Sequence, residues 1–255
     1  MLTATPSDFY RRILARYFRR RGKKMLSGVF VHGLEHLADW NREHSHEVPL
    51  ILVANHSSWW DAVMPILISL DRLNHDAYGV MEERQLRRYR FFRKLGMFSI
   101  DRDNGRSAYR SLEYAADLLR DTNRVLWFFP QGMILPNDQR PIQSFSGTAH
   151  LVQMIGRCEV ASIAFRYELL HHEHPTAFAK ISPPISFNGN EKLSKADLNE
   201  QLTQMLTEAV NQLRDNVVAE ELDGYEMILE GRKSIDVKWD EVRGNSKGKI
   251  QKKGR

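Results

Sequence analysis

Residues 48–61 read Val48-Pro49-Leu50-Ile51-Leu52-Val53-Ala54-Asn55-His56-Ser57-Ser58-Trp59-Trp60-Asp61. The unbroken apolar run predicts a strand over 48–54 that is buried on both faces, as the strands of parallel α/β sheets are. Polar residues mark its exit, and a helical pattern follows. Ligands of open α/β sheets bind beyond the carboxyl ends of strands, where exposed helix N-termini favour negative charge. His56 stands at such a junction.

Outward from this stretch, short apolar runs alternate with longer helical patterns, which is the signature of an α/β fold: one domain with a largely parallel or mixed central sheet flanked by helices. Strands are predicted over 28–32, 77–81, 97–100, 125–129, 160–165 and 178–181, the last stopped by Pro183-Pro184. Helices are predicted over 59–70, 83–94, 107–120, 147–155 and 195–219. No internal repeat is present. A length of 255 residues with 42% hydrophobic residues suits one such domain with extensions.

The first extension is residues 9–24. Phe9, Tyr10, Ile13, Leu14, Tyr17 and Phe18 fall at helical spacing, and Arg11, Arg12, Arg16, Arg19, Arg20, Arg21, Lys23 and Lys24 fill the remainder. An aromatic stripe beside a dense cationic face predicts a basic amphipathic helix lying in a lipid interface, so residues 1–27 are read as a membrane-surface segment. At the other end, residues 243–255 carry six cations and hardly an apolar side chain, which predicts a disordered basic tail. The formal charge of +5 is concentrated at these ends. Anionic lipid, an acidic carrier protein or the phosphates of coenzyme A would suit that pattern, and charge alone does not choose among them. Nucleic acid is not expected, because the cationic segments are terminal and no recognition motif accompanies them.

The single cysteine, Cys158, excludes an intramolecular disulfide and a zinc site of paired thiolates, and it points to a reducing compartment. No window supplies the roughly 18 apolar residues that span a bilayer. The expected location is therefore cytoplasmic, peripheral on a membrane face. No metal is expected, nor any cofactor beyond the substrates.

A base for a hydroxyl needs a group that titrates near neutrality, and a carboxylate on the far nitrogen of a histidine fixes its tautomer and stabilises the imidazolium. His56 and Asp61 can supply both. On a continuous helix five residues would separate them by about 140°, so the chain must turn at Ser57-Ser58 before the helix begins. Ser58 and Asp61 are also spaced like a helix-capping box, and the two roles are compatible. Ten histidines and an aspartate at roughly every twentieth position make one such spacing an even chance, so the pair draws its weight from its neighbours.

Those neighbours form a series. Asn55-His56-Ser57-Ser58-Trp59-Trp60-Asp61 resembles the His-x4-Asp block of the glycerolipid or 1-acylglycerol-3-phosphate acyltransferase family. Gly96-Met97-Phe98-Ser99-Ile100-Asp101-Arg102 is similar to that family's second block, and Phe129-Pro130-Gln131-Gly132 to its third, normally Phe-Pro-Glu-Gly. With Phe145-Ser146-Gly147 downstream, the resemblance covers roughly residues 30–165. It implies an acyltransferase domain, taken here as 28–242, with His56 and Asp61 catalytic. Arg102, Phe129, Pro130, Gln131 and Gly132 would bind the acceptor, with Arg102 suited to pair bidentately with a phosphate. Two departures stand out. Gln131 replaces the usual glutamate and removes a charge, and residues 159–165 keep the apolar run of the fourth block without its proline.

The resemblance implies transfer of a fatty acyl group from a thioester, acyl-CoA or acyl-ACP, to a lipid hydroxyl at an anionic membrane surface, with acyl carrier protein a possible partner. A lysophospholipid or glycerol-phosphate-type acceptor is expected; a non-phosphate lipid alcohol or glycolipid is the alternative. A thioesterase and a non-catalytic lipid-binding adaptor are the rival functions. Backbone amides of 55–58 or of the Gln131-Gly132 loop are candidates to stabilise the oxyanion.

Overall fold

The strand exit at Asn55 lies at the centre of a sheet. The computed structural model describes residues 1–43, 47–189, 193–235 and 239. In chain order the elements begin α1 (Asp8–Met25), β1 (Gly28–His32), α2 (Leu34–Glu43) and β2 (Leu50–Ala54), followed by a 3-10 turn (Trp59–Ala62) and a π-helix (Ile66–Arg72). Then come β3 (Ala77–Glu82), α3 (Glu83–Arg88), a 3-10 helix (Arg90–Leu95), β4 (Met97–Ile100), α4 (Gly105–Leu119), β5 (Val125–Phe128) and α5 (Gly147–Ile155). The chain continues through β6 (Arg157–Glu168), β7 (Thr176–Ile181), β8 (Ile185–Asn188), α6 (Lys195–Val218) and β9 (Glu226–Glu230).

Among the described residues the strands form one mixed sheet in the order β4-β3-β5-β2-β6-β7-β1-β9, with β8 paired to β6. From β4 to β6 all neighbours are parallel; β7 runs against β6, and β9 against β1. The parallel half brings the carboxyl ends of β2, β4, β5 and β6 to one rim. Period-two alternation divides the core between two faces. Leu50, Leu52, Val125, Trp127, Ile163 and Phe165 meet α1, α2 and the π-helix on one face. Ile51, Val53, Leu126, Phe128, Val160 and Ala164 meet α4, α5 and α6 on the other. Each of these larger side chains contributes about 1.5–3 kcal/mol by leaving water.

The expected α/β domain with helices on both faces is therefore present, and the departures have local causes. The helix predicted over 59–70 is broken, because Pro65 has no N–H to donate and its ring collides with a preceding carbonyl; the chain forms a 3-10 turn before it and a π-helix after it. The helix predicted over 83–94 is split at Tyr89, whose φ of −116° and ψ of 60° lie outside the helical region. β6 runs beyond 160–165 because it pairs with β8 at its start and β7 at its end. α2, β8 and β9 carried no periodic signal strong enough to be predicted. The C-terminal boundary at 242 and the tail 243–255 lie outside the described residues.

α1 forms where expected, but its apolar residues serve two surfaces. Ala15, Phe18 and Gly22 pack inward, with Leu14 partly buried against the same core. Phe9, Tyr10, Ile13 and Tyr17 remain exposed. Two arginines also turn inward: Arg11 bonds Asp76 at 2.8 Å and the Ala77 carbonyl at 3.0 Å, and Arg19 pairs with Asp71.

Beneath the π-helix, His75 is buried between the Trp40 ring and the Ser69 hydroxyl. Burial lowers its imidazole from an ordinary pKa of 6.5 to about 4. Between those values the unfolded chain binds the extra proton, so the contribution of neutral His75 is complete above pH 6.5 and declines as pH falls toward 4. Thermal unfolding should show a loss of up to about 3 kcal/mol over that window. His75→Gln cannot titrate, so its melting temperature should fall less steeply with acidification than the parent's.

Candidate active site

The strand β2 ends at Ala54, and Asn55 fastens its exit to β6: the side-chain amide donates to the Phe165 carbonyl at 3.0 Å and accepts from the Phe165 amide at 2.7 Å. The chain then turns. Ser58 caps the 3-10 turn, its Oγ accepting from the Trp60 amide at 3.2 Å. That turn carries Asp61 back to His56, with His56 Nδ1 lying 2.9 Å from Asp61 Oδ2. The same oxygen accepts from the amides of Ser57 at 2.6 Å and Ser58 at 2.7 Å. Asp61 thus serves both as cap and as histidine partner.

Asp61 is 0% exposed, and a buried carboxylate persists only where donors replace water. Since the carboxylate accepts, Nδ1 carries the proton and Nε2 presents its lone pair. Among the described residues Nε2 has no protein partner, and the His56 side chain is 22% exposed, so solvent or substrate reaches it. The Phe129 ring stands 4.9 Å from the imidazole and restricts its rotation.

The loop after β5 is bonded to the same point. Gln131, buried at the rim, accepts from the His56 amide through Oε1 at 2.8 Å, and the Leu135 amide donates to the His56 carbonyl at 2.9 Å. The Gly132 amide closes a turn onto the Phe129 carbonyl at 3.0 Å, while Pro130 accepts from the Phe145 amide at 2.9 Å. Gly132 has φ +69°, and a Cβ there would collide with the Arg102 guanidinium, so glycine both permits the turn and admits Arg102. Arg102 also covers the Phe145 ring, 5.8 Å from its centroid. It forms no ion pair with Asp101 or Asp103.

All seven residues singled out in the sequence are therefore brought to one rim. The candidate oxyanion donors fare differently: the amides of His56, Ser57, Ser58 and Gly132 are already bonded within the chain. Among the described residues no group of three or more His, Cys, Asp or Glu is placed to hold a metal. The residue that sequence reasoning missed is Tyr167 on β6, whose hydroxyl donates to Asp61 Oδ1 at 2.6 Å.

The acyltransferase family model matches residues 28–166, which takes in the dyad, Arg102 and the Phe129–Gly132 turn. The chain belongs to the acyltransferase family. It is also similar to a 1-acyl-sn-glycerol-3-phosphate acyltransferase of Streptococcus pneumoniae (strain ATCC BAA-255 / R6), at 25% identity over 153 residues, or 58% of this chain. That alignment spans 53% of the streptococcal protein, about half its length. Within the acyltransferase domain, the Gln131 substitution gains a structural meaning, because an acceptor oxygen for the His56 amide is what the position requires. Gln131→Glu retains such an oxygen but adds a charge at a buried position, so it should keep the His56 amide paired and still lower folding stability. Gln131→Ala leaves that amide unpaired and should cost about 1–3 kcal/mol by denaturant titration.

Proposed function

We propose that the chain transfers an acyl group from acyl-CoA or acyl-ACP to the hydroxyl of a phosphate-bearing lipid, a lysophospholipid or glycerol-phosphate type, at a membrane surface. The observation that carries this reading is the His56 imidazole, held by Asp61 through Nδ1 with Nε2 open at the rim. Nε2 takes the proton of the acceptor hydroxyl as its oxygen attacks the thioester carbonyl. Asp61 stabilises the imidazolium that results. The tetrahedral adduct expels the thiolate, which recovers the proton from His56. No acyl-enzyme intermediate is required.

Arg102 supports the choice of acceptor. Its guanidinium sits against Gly132 in the loop that bonds the His56 amide, and it has no ion-pair partner among the described residues. A guanidinium without an ion-pair partner, set against the loop that bonds His56, suits an acceptor phosphate, with two parallel N–H donors to its oxygens.

The outer face of α1 supports the location. No helix among the described residues is long and apolar enough to cross a membrane. Phe9 is 61% exposed, Ile13 48% and Tyr17 52%, although the helix already buries a separate face against the domain. Arg12, Arg16 and Arg20 flank this stripe, and Arg21 lies 5.9 Å from the ring of exposed Trp59, three residues beyond His56. An apolar stripe edged with cations suits an anionic lipid surface, on which the rim would face the bilayer.

The deciding assay pairs acyl-CoA and acyl-ACP with phosphate-bearing and neutral lipid alcohols, identifies products by mass spectrometry, and includes a control without acceptor. Transfer should appear on the phosphate-bearing acceptor, with little hydrolysis when it is omitted. His56→Ala should lower kcat by at least about a hundredfold in folded protein. Arg102→Ala should raise acceptor KM about tenfold or more and leave donor KM unchanged. Strong transfer to neutral acceptors with indifference to Arg102→Ala would sink the phosphate reading.

Vesicle flotation tests the location. Replacing Arg12, Arg16 and Arg20 by Gln should weaken binding to anionic vesicles, and the parent's binding should fall with salt. Salt-independent binding that survives the replacement would count against the helix.

A further inference from the structure

Asp61 loads its two oxygens unequally. Oδ2 receives His56 Nδ1 and the Ser57 and Ser58 amides, all from the short loop that also carries His56. Oδ1 receives one donor, the Tyr167 hydroxyl, which arrives from β6 at 2.6 Å. The carboxylate therefore has one tie to a different element. The torsion that turns a carboxylate about its own axis is soft and roughly two-fold, so donors on one oxygen alone leave its plane poorly defined. Four donors also replace the water that a fully buried carboxylate gives up.

Resting on the reading of His56 and Asp61 as the reacting pair, we infer that Tyr167 is a positioning residue: its phenol anchors Oδ1, holds the carboxylate plane with Oδ2 on His56 Nδ1, and by sharing the charge of Asp61 sets the basicity of Nε2. Burial and the adjacent carboxylate push the phenol well above its usual pKa, so it stays a donor wherever His56 works. A donor on a carboxylate disperses negative charge that would otherwise stabilise the imidazolium. Its removal should make His56 easier to protonate.

The surroundings leave few other groups to set that basicity. Only His56 and Tyr167 among titratable side chains bond Asp61 among the described residues. Phe129 and Gln131, which face His56 from the loop after β5, are uncharged. Arg102 stands beyond Gly132 in that loop, and Arg21 of α1 stands against Trp59. On β6 itself the neighbours of Tyr167 project to the opposite face, where Arg166 pairs with Asp138 at 2.9 Å and with Glu168 at 2.7 Å.

The test is Tyr167→Phe in the full chain, with His56→Ala alongside, followed by transfer kinetics against pH and an NMR titration of the His56 ring. Tyr167→Phe should lower kcat about tenfold with both KM values held, as expected for one lost hydrogen bond to a charged group. The acid limb of kcat and the His56 titration should move up by about half to one pH unit. Site-specific 3-fluorotyrosine at position 167 is a stronger donor and should move the limb down. Parent-like kinetics in Tyr167→Phe, or a loss of kcat with the limb and titration unmoved, would overturn the inference while an inactive His56→Ala left the dyad standing. If His56→Ala keeps its activity, the dyad reading fails and the inference falls with it.

Discussion

One buried negative charge organises this molecule. Asp61 lies out of contact with water, and a carboxylate there is tolerable only because four donors surround it at 2.6–2.9 Å. Two donors are amides of the turn that the same residue caps, one is the imidazole it orients, and one crosses from β6. The turn, the tautomer of His56 and the hydroxyl that reaches across from β6 all serve to satisfy a single group. Removing any donor would leave that charge less fully compensated.

The sheet supplies what the carboxylate needs. Parallel pairing of β2 with β5 on one side and β6 on the other sends three chain exits to the same rim, where the loops that leave β2 and β5 bond each other and Asn55 bonds the end of β6. Asn55 clamps β2 to β6, Gln131 holds the His56 amide, and the Leu135 amide holds its carbonyl. His56 is thus fixed at its backbone by the loop after β5 and at its ring by Asp61. Arg102 reaches this assembly from the end of β4, a strand that is not adjacent to β2, and its entry depends on the absence of a side chain at Gly132.

α1 shows how one helix divides its residues between two surfaces. Its small and buried positions, Ala15, Phe18 and Gly22, dock it on the domain, and Arg11 and Arg19 fasten it with ion pairs. The aromatic residues left over are therefore not the means by which the helix is held. Their exposure is a cost in water that a lipid interface would remove.

Much of the candidate site was legible in sequence because its residues sit at strand ends, where an apolar run gives way to polar residues within a few positions. The run 50–54 with His56 and Asp61, the glycine and arginine around β4, and Phe129–Gly132 after β5 all carry that mark, and so does the alternation that predicts an α/β sheet. Local chemistry was also enough to place the Ser58 cap. What sequence could not supply was every relation between elements far apart in the chain. Tyr167 is an ordinary strand residue until β6 pairs with β2, and 106 residues separate it from the carboxylate it holds. Nothing in the sequence around Gln131 shows that its side chain meets the His56 amide. The stripe on α1 reads as one face until packing takes Phe18 and leaves Phe9. Composition and spacing determine which residues are able to act, because propensity and polarity are local. Which of them meet is decided by strand order and helix packing, which depend on the burial of apolar surface by the whole chain.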